Sequence, residues 1–194
     1  MMSEWQIKRG LPVEAIELAI NGEPLKVEKS SRQGFAAELP VQVGGMLLER
    51  GLTIASAESC TGGMFAQTLT DIPGISAVFD RGIVTYSNRA KMEELGVRQG
   101  TLAQYGAVSA QTAVEMAEGI QRVAGTRIGV SVTGVAGPGG GSAEKPVGLV
   151  YVCAVLDERR LCRELRLNGD RTANRTASMY HMFHMIGELI KLKG

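Results

Sequence analysis

The chain has 194 residues, 44% of them hydrophobic, with 21 Lys and Arg against 20 Asp and Glu, so it is long and apolar enough to bury one sizeable core. That balance excludes a disordered tail protein, and a net charge of +1 with no basic stripe excludes a general nucleic-acid binder, so no nucleic-acid partner is expected. The longest apolar run, Val147 to Leu156, is about half of a membrane span, and the N-terminus carries acidic residues without a signal-peptide core.

Residues 1–35 differ from the rest, holding Trp5, many charges, a turn signal at Asn21-Gly22 and two short apolar stretches around Ala15–Ile20 and Leu25–Val27. They read as an appended hairpin or loose arm, separate from a domain over 36–194. From Leu39, apolar residues Leu39, Val43, Met46 and Leu47 share a helical face, Pro40 suits the first turn, and Gly51 ends the helix. Strand and helix then alternate. Leu52–Ala57 reads as a strand, Met64–Leu69 as a helix, Ile72-Pro73-Gly74 as a turn and Ala77–Tyr86 as a strand. Asn88 is expected to cap a helix over Arg89–Leu95 that Gly96 stops. Ser109 caps the clearest helix, in which Ala113, Met116, Ala117, Ile120, Val123 and Ala124 recur at helical spacing before Gly125. Ile128, Val130 and Val132 alternate as a strand, Val147–Val155 and Arg160–Leu167 form a hairpin around Asp157-Glu158, and Asp170 caps a terminal helix. This order predicts an α/β fold, a three-layer α/β/α sandwich with a mixed sheet of about five or six strands, since the last two strands are joined too tightly to run parallel.

Three segments are richer in small polar and glycine residues than packing requires. Ala57-Glu58-Ser59-Cys60-Thr61-Gly62-Gly63 lies between a strand and a helix, where a hydroxyl stands at the carboxyl edge of the sheet beside unpaired backbone N–H groups. Ser59 or Thr61 serves equally well as a plain helix cap. Thr85-Tyr86-Ser87-Asn88-Arg89-Ala90-Lys91 occupies a second such junction, from which Tyr86 and Lys91 can reach the same edge. A serine needs a base, and His181 and His184 both belong to the terminal helix, so Lys91 and Tyr86 are the candidates once burial or a neighbouring cation lowers their pKa values. The bland alternatives are a surface lysine and a half-buried strand tyrosine. The glycine-rich run after Thr133, from Gly134 to Gly141 and on to Lys145-Pro146-Val147-Gly148, lacks the order of a triphosphate or a dinucleotide loop. Arg171 and Arg175, one turn apart, either clamp a phosphate or face solvent. Three cysteines, Cys60, Cys153 and Cys162, form neither a CxxC pair nor a metal-ligand spacing, and their odd, low count suits a reducing compartment. No metal site and no cofactor are expected, and the chain is expected in the cytoplasm.

Together these segments resemble the CinA C-terminal domain family, including its stand-alone nicotinamide-nucleotide amidases. The matching motifs are AESCTGG at 57–63, TYSN with AK at 85–91, GAVS at 106–109, TGVAGPGGG at 133–141, KPVG at 145–148 and GDR at 169–171. The resemblance runs from about Leu39 to the end of the chain, and the arm before it matches no motif of the family. It implies an α/β/α fold, self-association into a homo-oligomer, and hydrolysis of the carboxamide of nicotinamide mononucleotide to nicotinate mononucleotide and ammonia, a step of pyridine-nucleotide recycling. It maps the nucleophile onto Ser59 and its partners onto Tyr86 and Lys91. The small-molecule pocket is expected to draw on Cys60, Thr61, Gly62, Gly63, Asn88, Thr133, Gly134, Gly137, Lys145, Arg171 and Arg175. Backbone N–H groups near Gly62, Gly63 or Gly134 would hold the oxyanion. The alternative is a catalytically silent nucleotide-sensing or interaction module linked to competence or DNA damage.

Overall fold

The structure, a computed structural model, describes residues 15–20 and 23–191. Seven strands, β1 (Ala15–Ile20), β2 (Glu23–Ser30), β3 (Ile54–Glu58), β4 (Phe79–Val84), β5 (Ile128–Gly134), β6 (Leu149–Leu156) and β7 (Arg159–Arg166), form one sheet in the order β1-β2-β7-β6-β5-β3-β4. Among the described residues six helices flank it: α1 (Leu39–Arg50), α2 (Met64–Thr70), α3 (Asn88–Leu95), α4 (Gln99–Tyr105), α5 (Ala110–Ala124) and α6 (Arg171–Lys191). α1, α2 and α6 pack on one face, α3, α4 and α5 on the other. This is the expected three-layer α/β/α sandwich. β3 runs parallel to β4 and β5, β5 and β7 run antiparallel to β6, and the sheet is therefore mixed. Among the described residues, five of the seven strands lie after residue 36 and two before it.

The helices start and stop where short-range chemistry dictates. The Ser109 hydroxyl accepts from Thr112 N–H at 3.2 Å, and Gly125, at φ 65°, takes the left-handed turn that closes α5. Asp170 Oδ1 accepts from Ala173 N–H at 2.8 Å to start α6. Gly51, at φ 58°, ends α1 behind a proline in its first turn. At α3 the cap is Ser87 and not Asn88: Ser87 Oγ accepts from Ala90 N–H at 3.0 Å, while Asn88 is already helical. The shift by one residue arises because both types cap well and only the chain direction leaving β4 selects between them. α4 has no counterpart among the predicted elements, since its seven residues include Gly100 and carry too short an apolar repeat.

β3 is buried along its whole length and sits between β4 and β5. Ile54 points into the core under α1, α2 and α6, whereas Ala55 and Ala57 face α5. Small residues on that face let α5 approach closely. At Gly129 of β5 a Cβ would lie 2.1 Å from the Ala117 carbonyl oxygen, so no larger residue fits without moving the helix.

The described strands of the arm, residues 15–20 and 23–30, form a hairpin that joins the sheet. β1 and β2 pair antiparallel, from Ala15↔Glu28 to Ile20↔Glu23, with Asn21 and Gly22 between them outside the described residues, as is Trp5. β2 then pairs parallel with β7, Val27↔Cys162 to Ser30↔Leu165. Val27 is buried against α5 residues, and Arg163 of β7 bridges Glu28 at 2.5 Å and Glu188 of α6 at 2.9 Å. Cys153 and Cys162 stand opposite each other on β6 and β7 and are joined as a disulfide, so the reading of three separate thiols is corrected and the cysteines no longer argue for a reducing compartment. Antiparallel register, invisible in their spacing, brings them face to face. Among the described residues no helix is long and apolar enough to cross a membrane.

Candidate active site

The carboxyl ends of β3, β4 and β5 lie level, with Glu58 registered against both Val84 and Val132. The loops leaving those three strands therefore converge at one edge of the sheet, the usual position of a ligand crevice in such folds. The first loop turns sharply at Gly62 (φ 64°) and Gly63 (φ 94°), conformations that glycine adopts without strain. The second leads into α3, whose second turn begins at the buried Lys91.

These two loops bring Ser59 and Lys91 into contact. Lys91 Nζ lies 3.1 Å from Ser59 Oγ and 2.7 Å from the Thr85 carbonyl oxygen, to which it donates. Lys91 is 1% exposed and Ser59 8%, so the pair sits in a largely dry site. Burial lowers the Lys91 pKa from 10.5 to about 8, outweighing a smaller upward influence from Cys60. An amine in that range is partly neutral near pH 7 and able to take a proton from the serine.

Tyr86 does not join this pair. It lies beyond the end of β4, is 65% exposed, and its hydroxyl meets Arg171 Nη2 at 3.5 Å, with no hydrogen bond to Ser59 or Lys91. Cys60 turns the other way from Ser59, into the apolar core, and burial pushes its thiol up to about 12. Its side chain is thus unsuited to line a polar pocket. Thr61 is wholly buried, its hydroxyl donating to Glu58 Oε2 at 2.6 Å.

The expected anion and phosphate groups are mostly occupied within the protein. Gly62 N–H donates to the Ser59 carbonyl at 3.1 Å and Gly63 N–H to Glu58 Oε2 at 3.0 Å, while Gly134 is the last residue of β5, paired with Val150. The N–H groups of Cys60 and Thr61 donate to no oxygen among the described residues. Arg175 holds the serine loop from behind, with Nε 3.1 Å from the Cys60 carbonyl and Nη2 2.6 Å from that of Thr61. Arg171, exposed at the rim, donates to the Gly137 carbonyl at 2.7 Å. Lys145 donates to the Tyr105 carbonyl at the end of α4, and Thr133 Oγ1 to Ala107 O at 2.8 Å. Asn88 is exposed on the first turn of α3. Two contributors escaped sequence reading: the Thr85 carbonyl, which orients Lys91, and Glu58. The signal for Glu58 was a lone acid closing an otherwise uncharged strand.

Fold and site together define an α/β/α domain carrying a buried serine–lysine pair at the carboxyl edge of its sheet. The profile of the CinA C-terminal domain matches residues 36–190, and the chain belongs to that family. A competence-damage inducible protein of Acetivibrio thermocellus is 54% identical over 178 residues, covering 88% of this chain and 43% of that protein. One from Clostridium acetobutylicum is 60% identical over 129 residues, covering 66% of this chain and 31% of the other. The chain thus spans under half the length of the curated relatives it matches, and the longer of these matches reaches back before residue 36. Among solved structures, the competence/damage inducible protein CihA of Agrobacterium tumefaciens superposes with a TM-score of 0.77 at 46% identity, covering 78% of this chain and 93% of that one. A CinA superfamily protein of Klebsiella pneumoniae gives 0.77 at 35% identity, covering 79% and 96%.

Proposed function

We propose that this protein hydrolyses the carboxamide of nicotinamide mononucleotide to nicotinate mononucleotide and ammonia, as part of pyridine-nucleotide recycling. The observation that carries the reading is the 3.1 Å approach of the buried Lys91 amine to Ser59 Oγ. With a pKa of about 8, roughly a tenth of Lys91 is neutral at pH 7, and the positive pyridinium of the substrate raises that fraction. One N–H of the amine is held by the Thr85 carbonyl, which aims the lone pair at the serine. Ser59 Oγ attacks the carboxamide carbon while its proton passes to Lys91 Nζ. The tetrahedral intermediate collapses as Lys91 returns the proton to the departing ammonia, leaving an ester on Ser59. Water then attacks that ester, Lys91 takes the water's proton, and nicotinate mononucleotide leaves as the proton returns to Ser59. The oxyanion falls to the N–H groups of Cys60 and Thr61, because those of Gly62 and Gly63 are engaged inside the loop. Arg171, Arg175 and Lys145 all brace backbone carbonyls, but Arg171 alone of them is exposed, beside Tyr86, and its guanidinium is the one best placed to meet the phosphate. Tyr86 contributes at the mouth of the site, and self-association follows the family.

The test is ammonia release from nicotinamide mononucleotide, other pyridine nucleotides and free nicotinamide, with and without chelator. Turnover of the mononucleotide that chelator leaves unchanged is expected; zinc-rescued activity would remove the serine mechanism. The names of the relatives speak of competence and damage. Binding of a pyridine nucleotide without ammonia release would favour that sensing role.

A further inference from the structure

The serine–lysine reading leaves without a role the carboxyl group that immediately precedes the serine. Glu58 is 1% exposed at the end of a wholly buried strand, where a carboxylate is costly unless its oxygens are fully hydrogen-bonded. They are. Oε2 accepts from Thr61 Oγ1 at 2.6 Å, Gly63 N–H at 3.0 Å and Phe65 N–H at 3.1 Å, and Oε1 accepts from Ala66 N–H at 2.9 Å. An ordinary helix cap accepts from its own first turn. This one also gathers the Thr61 hydroxyl and the Gly63 amide, which belong to the loop that leaves Ser59. The backbone of Glu58 reaches the other half of the pair, because its carbonyl accepts from Thr85 N–H at 2.8 Å and the Thr85 carbonyl accepts from Lys91 Nζ at 2.7 Å.

We propose that Glu58 is a positioning residue for Ser59: its carboxylate gathers the Thr61–Ala66 turn and thereby holds Ser59 Oγ within reach of Lys91. The proposal rests on the serine–lysine reading and gives Glu58 no contact with substrate and no part in proton transfer. The consequence is specific. E58Q puts an NH2 group against donors, so at least one of the four hydrogen bonds fails and the loop relaxes, while Lys91 keeps its anchor on the Thr85 carbonyl.

The experiment follows labelling of Ser59 in the full chain by a small fluorophosphonate, which forms an Oγ–P bond as fluoride leaves, using intact mass and peptide mapping across pH. Thermal unfolding is measured for each variant, and rates refer to the folded protein. E58Q is expected to label about ten- to a hundredfold more slowly than wild type, the scale of loss for a displaced reacting group, with the pH midpoint unchanged. A fold-stabilising role alone would not slow the folded enzyme. T61V, which removes one donor, is expected to slow labelling by a smaller factor, and T61S, which restores the hydroxyl, to recover that loss. Equal rates for wild type and E58Q would overturn the proposal, as would a displaced midpoint, which would make Glu58 an electrostatic partner of Lys91. If E58Q fails to fold, equal rates for T61V and T61S overturn it. Absence of Ser59 labelling in the wild type would overturn the serine–lysine reading and the proposal with it, whereas brisk labelling alike in wild type and variants overturns the proposal alone.

Discussion

Ser59 and Cys60 are neighbours in sequence with opposite surroundings, one against a buried amine and the other in apolar core. A thiol is intrinsically the better nucleophile, but burial pushes the Cys60 pKa up to about 12 and leaves almost no thiolate at neutral pH. Ser59→Ala is therefore expected to abolish ammonia release, and Cys60→Ala to retain most of it; steady-state assays of both variants check the ranking. Lys91→Arg should lose nearly all turnover, because a guanidinium keeps the charge but cannot act as a base. In the wild type kcat/KM should rise with pH toward a plateau above about 8, the range to which burial lowers the lysine of the free protein, and kcat should level off at a lower pH because the pyridinium disfavours the ammonium further. Tyr86→Phe should keep kcat near the wild-type value, since the Tyr86 hydroxyl bonds only to Arg171 and to neither member of the pair. A loss of about a hundredfold or more in kcat would place that hydroxyl in the proton path. Sequence reading put Tyr86 and Lys91 side by side as bases. Which of them is buried against the serine depended on where β4 ends and on how α3 seats.

At the scale of elements, α6 does more than cover the sheet. Its first two turns supply Arg171 and Arg175 to the site, and its middle holds the segment that links the arm to α1. His181 is 1% exposed, its Nε2 lies 3.0 Å from the Arg32 carbonyl oxygen, and Phe35 packs edge-on against its ring with centroids 4.7 Å apart. Burial lowers the His181 pKa from 6.5 to about 3, reinforced by the charge of Arg163, and the Arg32 hydrogen bond only partly opposes this. The folded chain stays neutral there while the unfolded chain binds a proton below about pH 6.5, so stability is full above that pH and falls as pH decreases toward about 3. The loss should be on the order of 3 kcal/mol by about pH 4. His181→Gln should flatten this part of the stability profile, as measured by thermal unfolding across pH; an unchanged slope would show that other groups carry the acid sensitivity. Periodicity and capping residues made α6 and α5 legible in the sequence. The short α4 and the exact cap of α3 were not, because seven residues hold too little pattern and Ser87 and Asn88 are chemically near-equivalent caps.

At the scale of the whole molecule, the sheet separates two jobs. β3, β4 and β5 present the site at one side, while β7, β2 and β1 extend the sheet away from it. Deleting residues 1–30 should therefore leave kcat and KM for the mononucleotide close to those of the full chain. It should also lower the melting temperature, since the buried Val27 side chain alone contributes about 1.5–3 kcal/mol, and Arg163 would keep Glu188 but lose Glu28. The uncovered edge of β7 invites association, which size-exclusion chromatography would reveal. A folded deletion variant without turnover would place a residue of the arm in the site. What the sequence by itself determined is local: the alternation that makes strands, the helical repeat, the Ser109, Asp170 and glycine punctuation, and the ESCTGG junction that put a hydroxyl at the sheet edge. These signals act within a turn or two of chain, so a short window contains them whole. Tertiary structure decided which groups meet. Lys91 lies 32 residues beyond Ser59, Arg175 is 115 beyond Cys60, and Arg163 is 135 beyond Glu28. Their contacts exist because parallel pairing levels the ends of β3 and β4 and because α6 packs back across the sheet. Strand register and layer packing are properties of the assembled core, and no stretch of sequence short enough to read locally contains them.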